Sequence, residues 1–432
     1  MKHQRRPVII LAILALFLAA SPAIAQQSQT EIEDITEEVS QVRQLPVQQE
    51  IELTVISRDE LRADYAGFIE DDYPVDEQYS DMREWLAFGL IDQPMDLGDL
   101  YSELYGEQVL GYYDSETGKM VVVRGSDAGG AFTAVEQVTY AHEIVHALQD
   151  QSFDLDAGAL DREDIADDES LAIAALIEGD ASFTEVLYII DRPELLDAYL
   201  AEIENPEMDT SVLDSVPPII SETLLFPYER GYTFVEALHN EGGWAAVDAA
   251  YADPPASTEQ ILHPEKYLAD EQPIAVDVND FSGSLGDGWK KWDTNTFGEY
   301  QILVILQQTS MSDQQAEAAA AGWGGDTYVV AGTDEQDAVH WVSAWDTEED
   351  ASQFTRAWAL REAERWGVDP VFVSDTVIEF HADDAIVRIT LDGTTVDYLM
   401  APDQSTLDAI IAAPPAPPEA TPLASPVASP AA

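Results

Sequence analysis

Apolar residues recur along this chain with two different periods, and the changes of period divide it into segments. Residues 51–56 alternate apolar and polar as a half-buried strand does, and helical spacing follows over 58–71, 76–88 and 97–105. These helices would form a lobe of their own. Two β-rich runs, 108–113 and 119–123, flank Asp114-Ser115-Glu116-Thr117-Gly118, a hairpin signal with glycine near its end. Just downstream, Val135, Val138, Ala141, Val145 and Leu148 recur at helical spacing, and Thr133 with Glu136 three residues on makes a capping-box pattern. The sequence therefore predicts a helix over 133–150. A second strong helix is expected over 169–190, ended by Asp191-Arg192-Pro193, with further helices to about residue 268, clearest at 228–241 and 243–251.

Near Pro273 the pattern changes to strands alternating with helices: a strand at 301–307, a helix at 313–321, strands at 327–330 and 340–344, a helix at 348–366, then strands through Leu399. Such an order suits a small domain on an antiparallel sheet. The expected fold class is thus α+β: a mainly helical domain over 51–272 with a small edge sheet, followed by a smaller α+β domain over 273–411. The two ends read differently. Residues 26–50 are polar and acidic without sustained apolar spacing, which predicts a flexible leader, and the Pro/Ala/Ser-rich residues 412–432 predict a disordered tail.

Lys2, Arg5 and Arg6 precede an apolar run at 8–20 and the small-residue site Ala23-Ile24-Ala25, which predicts a secretory signal peptide cleaved after Ala25. That run is short for a membrane span, and no later segment is long enough, so the mature chain is expected to be exported without a membrane anchor. The 432 residues contain no cysteine, so an exported fold must be held by its cores, which 46% hydrophobic residues can supply. A formal charge of −65 makes nucleic acid and anionic membranes poor partners. Asp154, Asp156, Asp161, Asp164, Asp167 and Asp168 cluster, yet the glycine and closing glutamate of a calcium loop are out of register, so they read as a surface loop.

The chemistry is concentrated in His142-Glu143-Ile144-Val145-His146, inside the helix predicted at 133–150. At four residues' separation the two imidazoles share one helix face, where they can hold a zinc ion, and Glu143 stands beside them as the candidate general base. Catalytic zinc takes three protein ligands, and the next histidine, His239, is distant. A carboxylate is the remaining route. Glu178 fits best: Ala174, Ala175, Ala181 and Ser182 are its helical neighbours, and with Gly179 they would let this helix approach the first closely. Glu169 and Glu185 are rivals for that role. Asp180 and Asp150 are candidates to accept from the second nitrogen of a ligating imidazole. Tyr228, His239 and His263 are candidates to stabilise an oxyanion, His263 from a polar loop at 257–264.

These residues resemble the gluzincin branch of the zincin metallopeptidases, the thermolysin-like group, over about residues 108–268. Glu178-Gly179-Asp180-Ala181 and Tyr228-Glu229-Arg230-Gly231-Tyr232-Thr233-Phe234 are similar to shorter stretches in several members. The resemblance implies that His142, His146 and Glu178 are zinc ligands, that Glu143 is the general base, and that a hairpin strand at 111–114 or 120–123 pairs with an extended peptide. Ile177-Glu178 departs from the Asn-Glu of thermolysin, so that enzyme's substrate preference does not carry over. The function expected is a secreted zinc metallopeptidase acting on peptides or proteins. The alternatives are an exported cell-envelope or binding protein that keeps the fold with weak or lost catalysis, and a calcium-dependent acidic scaffold.

Overall fold

The computed structural model describes residues 22–63, 69, 73–115, 117–124, 131–158, 160, 162, 165–204 and 215–413. The protein is α+β. Helix α1 (Pro22–Arg43) precedes strand β1 (Glu52–Ile56), helices α2 (Val75–Phe88) and α3 (Leu97–Gln108), and the hairpin β2 (Gly111–Asp114) and β3 (Lys119–Val123). A helical layer follows: α4 (Ala134–Phe153), α5 (Asp167–Ile190), α6 (Pro193–Ile203), α7 (Pro218–Gly242), α8 (Trp244–Ala250), α9 (Thr258–Leu262) and α10 (Pro264–Leu268). The C-terminal region comprises β4 (Lys290–Asn295), α11 (Gly298–Gln307), α12 (Asp313–Ala320), β5 (Trp323–Gly332), β6 (Asp337–Trp345), α13 (Glu348–Trp366), β7 (Val371–Ser374), β8 (Val377–His381), β9 (Ile386–Asp392), β10 (Thr395–Ala401) and α14 (Gln404–Ile411).

The small sheet has the order β1-β3-β2, with β1 parallel and β2 antiparallel to β3, so β2 lies at an edge. Val123 N–H donates to Leu110 O, and strand alternation then turns the main-chain groups of Gly111 and Tyr113 away from β3. The large sheet is antiparallel, in the order β4-β5-β6-β10-β9-β8-β7. Both of its faces are covered. Tyr328, Val330, Tyr398 and Met400 enter the main core, while Val329, Ala331, Leu399 and Ala401 pack with Phe281, Leu407 and Ile410 on the other side. This explains the near-continuous apolar character of β5.

The main core is continuous from Ala172, Leu176 and Phe234 in the helical layer to Trp341 and Trp358 in the sheet region. Phe88 at the end of α2 sits within it, its ring 4.6 Å from Phe297 and 5.1 Å from Tyr328. The boundary expected near Pro273 therefore runs across one packed interior. Among the described residues, no helix is long and apolar enough to cross a membrane.

Helices α5 and α7 touch backbone to backbone. A Cβ added at Gly179 would collide with Gly231, and one at Gly231 with the carbonyl of Ala175, so glycine is the residue that permits this contact. The Glu178 helix thus meets α7 at bare backbone, and it also makes the close approach expected to the motif helix, where Ala181 packs with Ala141, Ile144 and Leu148.

Several expectations need correction. Residues 26–43 are not a flexible leader: they belong to α1, whose Ile32, Ile35 and Val39 pack with Val145 and Leu148 of α4. Three apolar residues among acids suffice because each is fully covered. Residues 301–307 are helix, not strand. Ile302 to Leu306 are buried all round, which erases the period, and Asp326 from β5 caps the first turn by accepting from Phe297 N and Gly298 N at 3.1 and 3.0 Å. The polar loop at 257–264 contains helix α9, capped by Ser257. Asp168 is not on a surface loop but buried in the first turn of α5, accepting from Thr258 N, whose hydroxyl in turn accepts from Tyr300 N. Residues 1–21 of the signal peptide expected over 1–25, Asp161, Asp164 and most of the tail lie outside the described residues, as does most of 64–72 in the helix expected at 58–71.

Two outcomes are expected. Gly231→Ala should destabilise the fold by about 1–3 kcal/mol, read from denaturant unfolding, because two helices must separate. Burial pushes the Asp168 carboxyl up to about 7, beyond what its bonds from Thr258 offset. A raised folded pKa means stability present at low pH and lost as pH rises through that value. Asp168→Asn should therefore become more stable relative to wild type between about pH 4 and 7, by about 1 kcal/mol per pH unit.

Candidate metal centre

Helix α4 begins as its sequence predicts. Thr133 accepts from Glu136 N at 3.2 Å and Glu136 accepts from Thr133 N at 2.9 Å, closing the capping box. Glu202 of α6 takes the next two amides, Ala134 N and Val135 N, at 3.1 and 2.9 Å. With its start fixed, the helix presents His142 and His146 one turn apart, ring centroids 4.9 Å from each other.

Glu178 of α5 comes between them. Its Oε2 lies 3.1 Å from His142 Nε2 and 3.3 Å from His146 Nε2. Each ring's other nitrogen is taken: His142 Nδ1 lies 3.2 Å from Glu185 Oε2, and His146 Nδ1 lies 2.8 Å from Gln149 Oε1. Both Nε2 atoms thus face one shared point, and two imidazoles with one carboxylate are a donor set that suits zinc. Among the described residues, two other groups of acidic side chains cluster. In one, Glu259, Glu271 and Asp346 each lie 2.7 Å from Lys266 Nζ, whose ammonium already supplies the positive charge. In the other, Asp81, Glu84 and Asp293 offer carboxylates alone.

The electrostatics follow from burial and proximity. Burial disfavours a charged His142, but hydrogen bonds to Glu178 and Glu185 outweigh it and hold the ring well above the ordinary histidine range. His146 is raised too, burial again being overcome, here by Glu178. Burial opposes the charge on Glu178, yet the two imidazoles hold it below the carboxylate range. Glu143 is pushed up by burial, with His146 and His142 offsetting only part of the shift. Its Oε2 accepts from Tyr113 N of β2 at 3.1 Å, which ties the candidate base to the edge strand.

The other candidates separate clearly. Of the rival carboxylates, Glu185 orients His142 and Glu169 pairs with Arg162. Asp180 meets His146 only through Gln149, and Asp150 instead accepts from Tyr113 Oη at 2.8 Å. Tyr228 packs against His142, centroids 5.9 Å apart and planes at 29°. His239 packs against Phe183 and Trp244, and His263 pairs with Glu299 at 3.0 Å; neither borders the site. Gln149 was missed, although its place three residues after His146 on one helix face was a usable signal.

A cavity of about 610 Å³ opens beside Glu143, His146, Glu178 and Tyr228, walled mainly by apolar and aromatic groups such as Trp85, Tyr101, Leu104, Tyr112 and Ile220. Its walls come from α2, α3, β2 and α7, so the lobe before the hairpin shapes the space next to the histidines.

Residues 288–411 match a family described as a domain of unknown function (DUF8575). The match spans the large sheet and its helices and includes none of His142, Glu143, His146 or Glu178. No curated protein and no solved structure matches the chain.

Zinc titrated into the metal-free chain, followed by calorimetry, should bind one per chain, and Glu178→Ala should weaken binding at least tenfold. Protons compete for both rings, whose folded pKa values are raised, so affinity should fall as pH drops, starting above the ordinary histidine value of about 6.5.

Proposed function

We propose that the protein is an exported zinc-dependent peptidase of the zincin kind. The observation that carries this reading is the convergence of His142 Nε2, His146 Nε2 and Glu178 Oε2 next to a buried carboxylate, Glu143, bound to an edge strand. Zinc held by those three residues would polarise a peptide carbonyl and lower the pKa of water toward about 7. Glu143, raised by burial, is suited to take a proton from water and hand it to the leaving amine. The Tyr228 side chain, against His142, is the candidate donor to the developing oxyanion.

The hairpin supports peptide as the substrate class. Gly111 and Tyr113 turn their main-chain groups to the free side of β2, where an extended segment can add as a further strand. The apolar cavity alongside favours a bulky aromatic or aliphatic side chain near the bond to be cut. Export rests on the basic and then apolar start of the chain, with the small-residue site at Ala23-Ile24-Ala25.

The test is hydrolysis of an unfolded protein or peptide library by the purified chain. Activity should vanish with a chelator and return with zinc. Glu143→Gln should lower kcat by about 10²–10⁴ while zinc stays bound, and Tyr228→Phe should lower kcat by about 10² with little change in KM. Zinc binding with no peptide cut would favour an exported binding protein instead.

A further inference from the structure

The imidazole of His146 stands at one end of a buried polar chain whose other end is in α1. His146 Nδ1 meets Gln149 Oε1 at 2.8 Å. The Gln149 amide nitrogen is directed at two groups that can only accept, Ile177 O at 3.0 Å and Asp180 Oδ2 at 3.2 Å. Those acceptors fix which way the amide faces. Turned over, it would offer an N–H₂ to His146 Nδ1 and demand the tautomer that carries its proton on Nε2, the atom that faces Glu178 and His142. The Asp180 carboxylate is held in its turn: Oδ2 also accepts from Tyr251 Oη at 2.7 Å, and Oδ1 accepts from Arg43 Nε at 2.6 Å. Arg43 forks to Asp248 Oδ1 at 2.7 Å and lies over the Trp244 ring at 4.3 Å. Arg43, Asp180 and Gln149 are all completely buried.

We propose that Arg43 is a positioning residue for the metal centre, which it acts on through Asp180 and Gln149 to fix the His146 ring with Nε2 open to a metal ion. The helix that precedes β1 is then a working part of the site. The proposal rests on the metal-centre reading above.

The reasoning is geometric. A guanidinium presents rigid, separated donors, so it can hold the Asp180 carboxylate at a set angle while reaching Asp248 from another nitrogen. Orienting partners of this kind change metal affinity by about 10–100-fold when removed.

The test uses the full chain and reads zinc affinity by competition with a chromogenic chelator, alongside circular dichroism of the metal-free fold. Arg43→Met should weaken zinc about 10–100-fold. In a double-mutant cycle, Arg43→Met with Gln149→Leu should bind no more weakly than Gln149→Leu alone, because both act on one ring. The His146 Nδ1 proton resonance of the zinc-loaded chain should be lost in Arg43→Met. Ile35→Ala, which removes packing from the same helix and leaves the polar chain intact, should lower the thermal midpoint with zinc affinity unchanged. If Arg43→Met does not fold, Arg43→Lys carries the same comparison, since lysine keeps the charge without the fork. Wild-type affinity in a folded Arg43 variant, or additive losses in the cycle, overturns the proposal while the metal centre stands. A wild-type chain that binds no zinc overturns both.

Discussion

The contact between Gly179 and Gly231 is the constraint on which the site depends. It lets α5 and α7 meet at the distance of bare backbone, and each helix carries a site residue next to that contact. Glu178 adjoins Gly179 in the chain, and Tyr228 lies one turn before Gly231. A side chain at either glycine would push the two helices apart and shift the carboxylate and the ring together. Pro227 lies inside α7 just before Tyr228, so the stretch that presents this ring lacks one backbone donor of the ordinary helical ladder.

A second constraint is electrostatic. With 84 acidic side chains and 19 lysines and arginines, positive charge is scarce in this molecule, and Arg43, Arg83, Arg124 and Arg361 are buried. Arg43 joins α1 to α5 and α8, Arg83 joins α2 to Asp337 at the start of β6, and Lys266 draws three carboxylates together. The cations thus act as internal ties between elements distant in sequence. The exterior is left strongly negative, which keeps copies apart but offers little to hold loops together.

What could be read from the sequence was local. The motif helix announces itself through a capping box and a clean apolar period, and Glu178 stands out by the small residues around it. α13 has an acidic first turn, an apolar stripe and a glycine stop, and its limits are the ones read from the pattern. What could not be read depends on distant partners. Helix α1 hides because its stripe is three residues wide in an acidic background. α11 resembles a strand because burial on every side removes the period, and its cap comes from Asp326, in a different element. Asp168 looked like one of a run of surface acids, yet it is buried and accepts from Thr258, ninety residues on. The link from Arg43 to His146 crosses more than a hundred residues, and no local pattern can register it.

One bond described at the edge strand bears on the order of events. The main-chain N–H of Tyr113 has a single hydrogen to give, and in the free protein it goes to the Glu143 carboxylate. A strand that adds to β2 at this residue must claim the same hydrogen for its own carbonyl. Under the proposed peptidase reading, docking of a strand at this residue and release of the Glu143 carboxylate are one exchange.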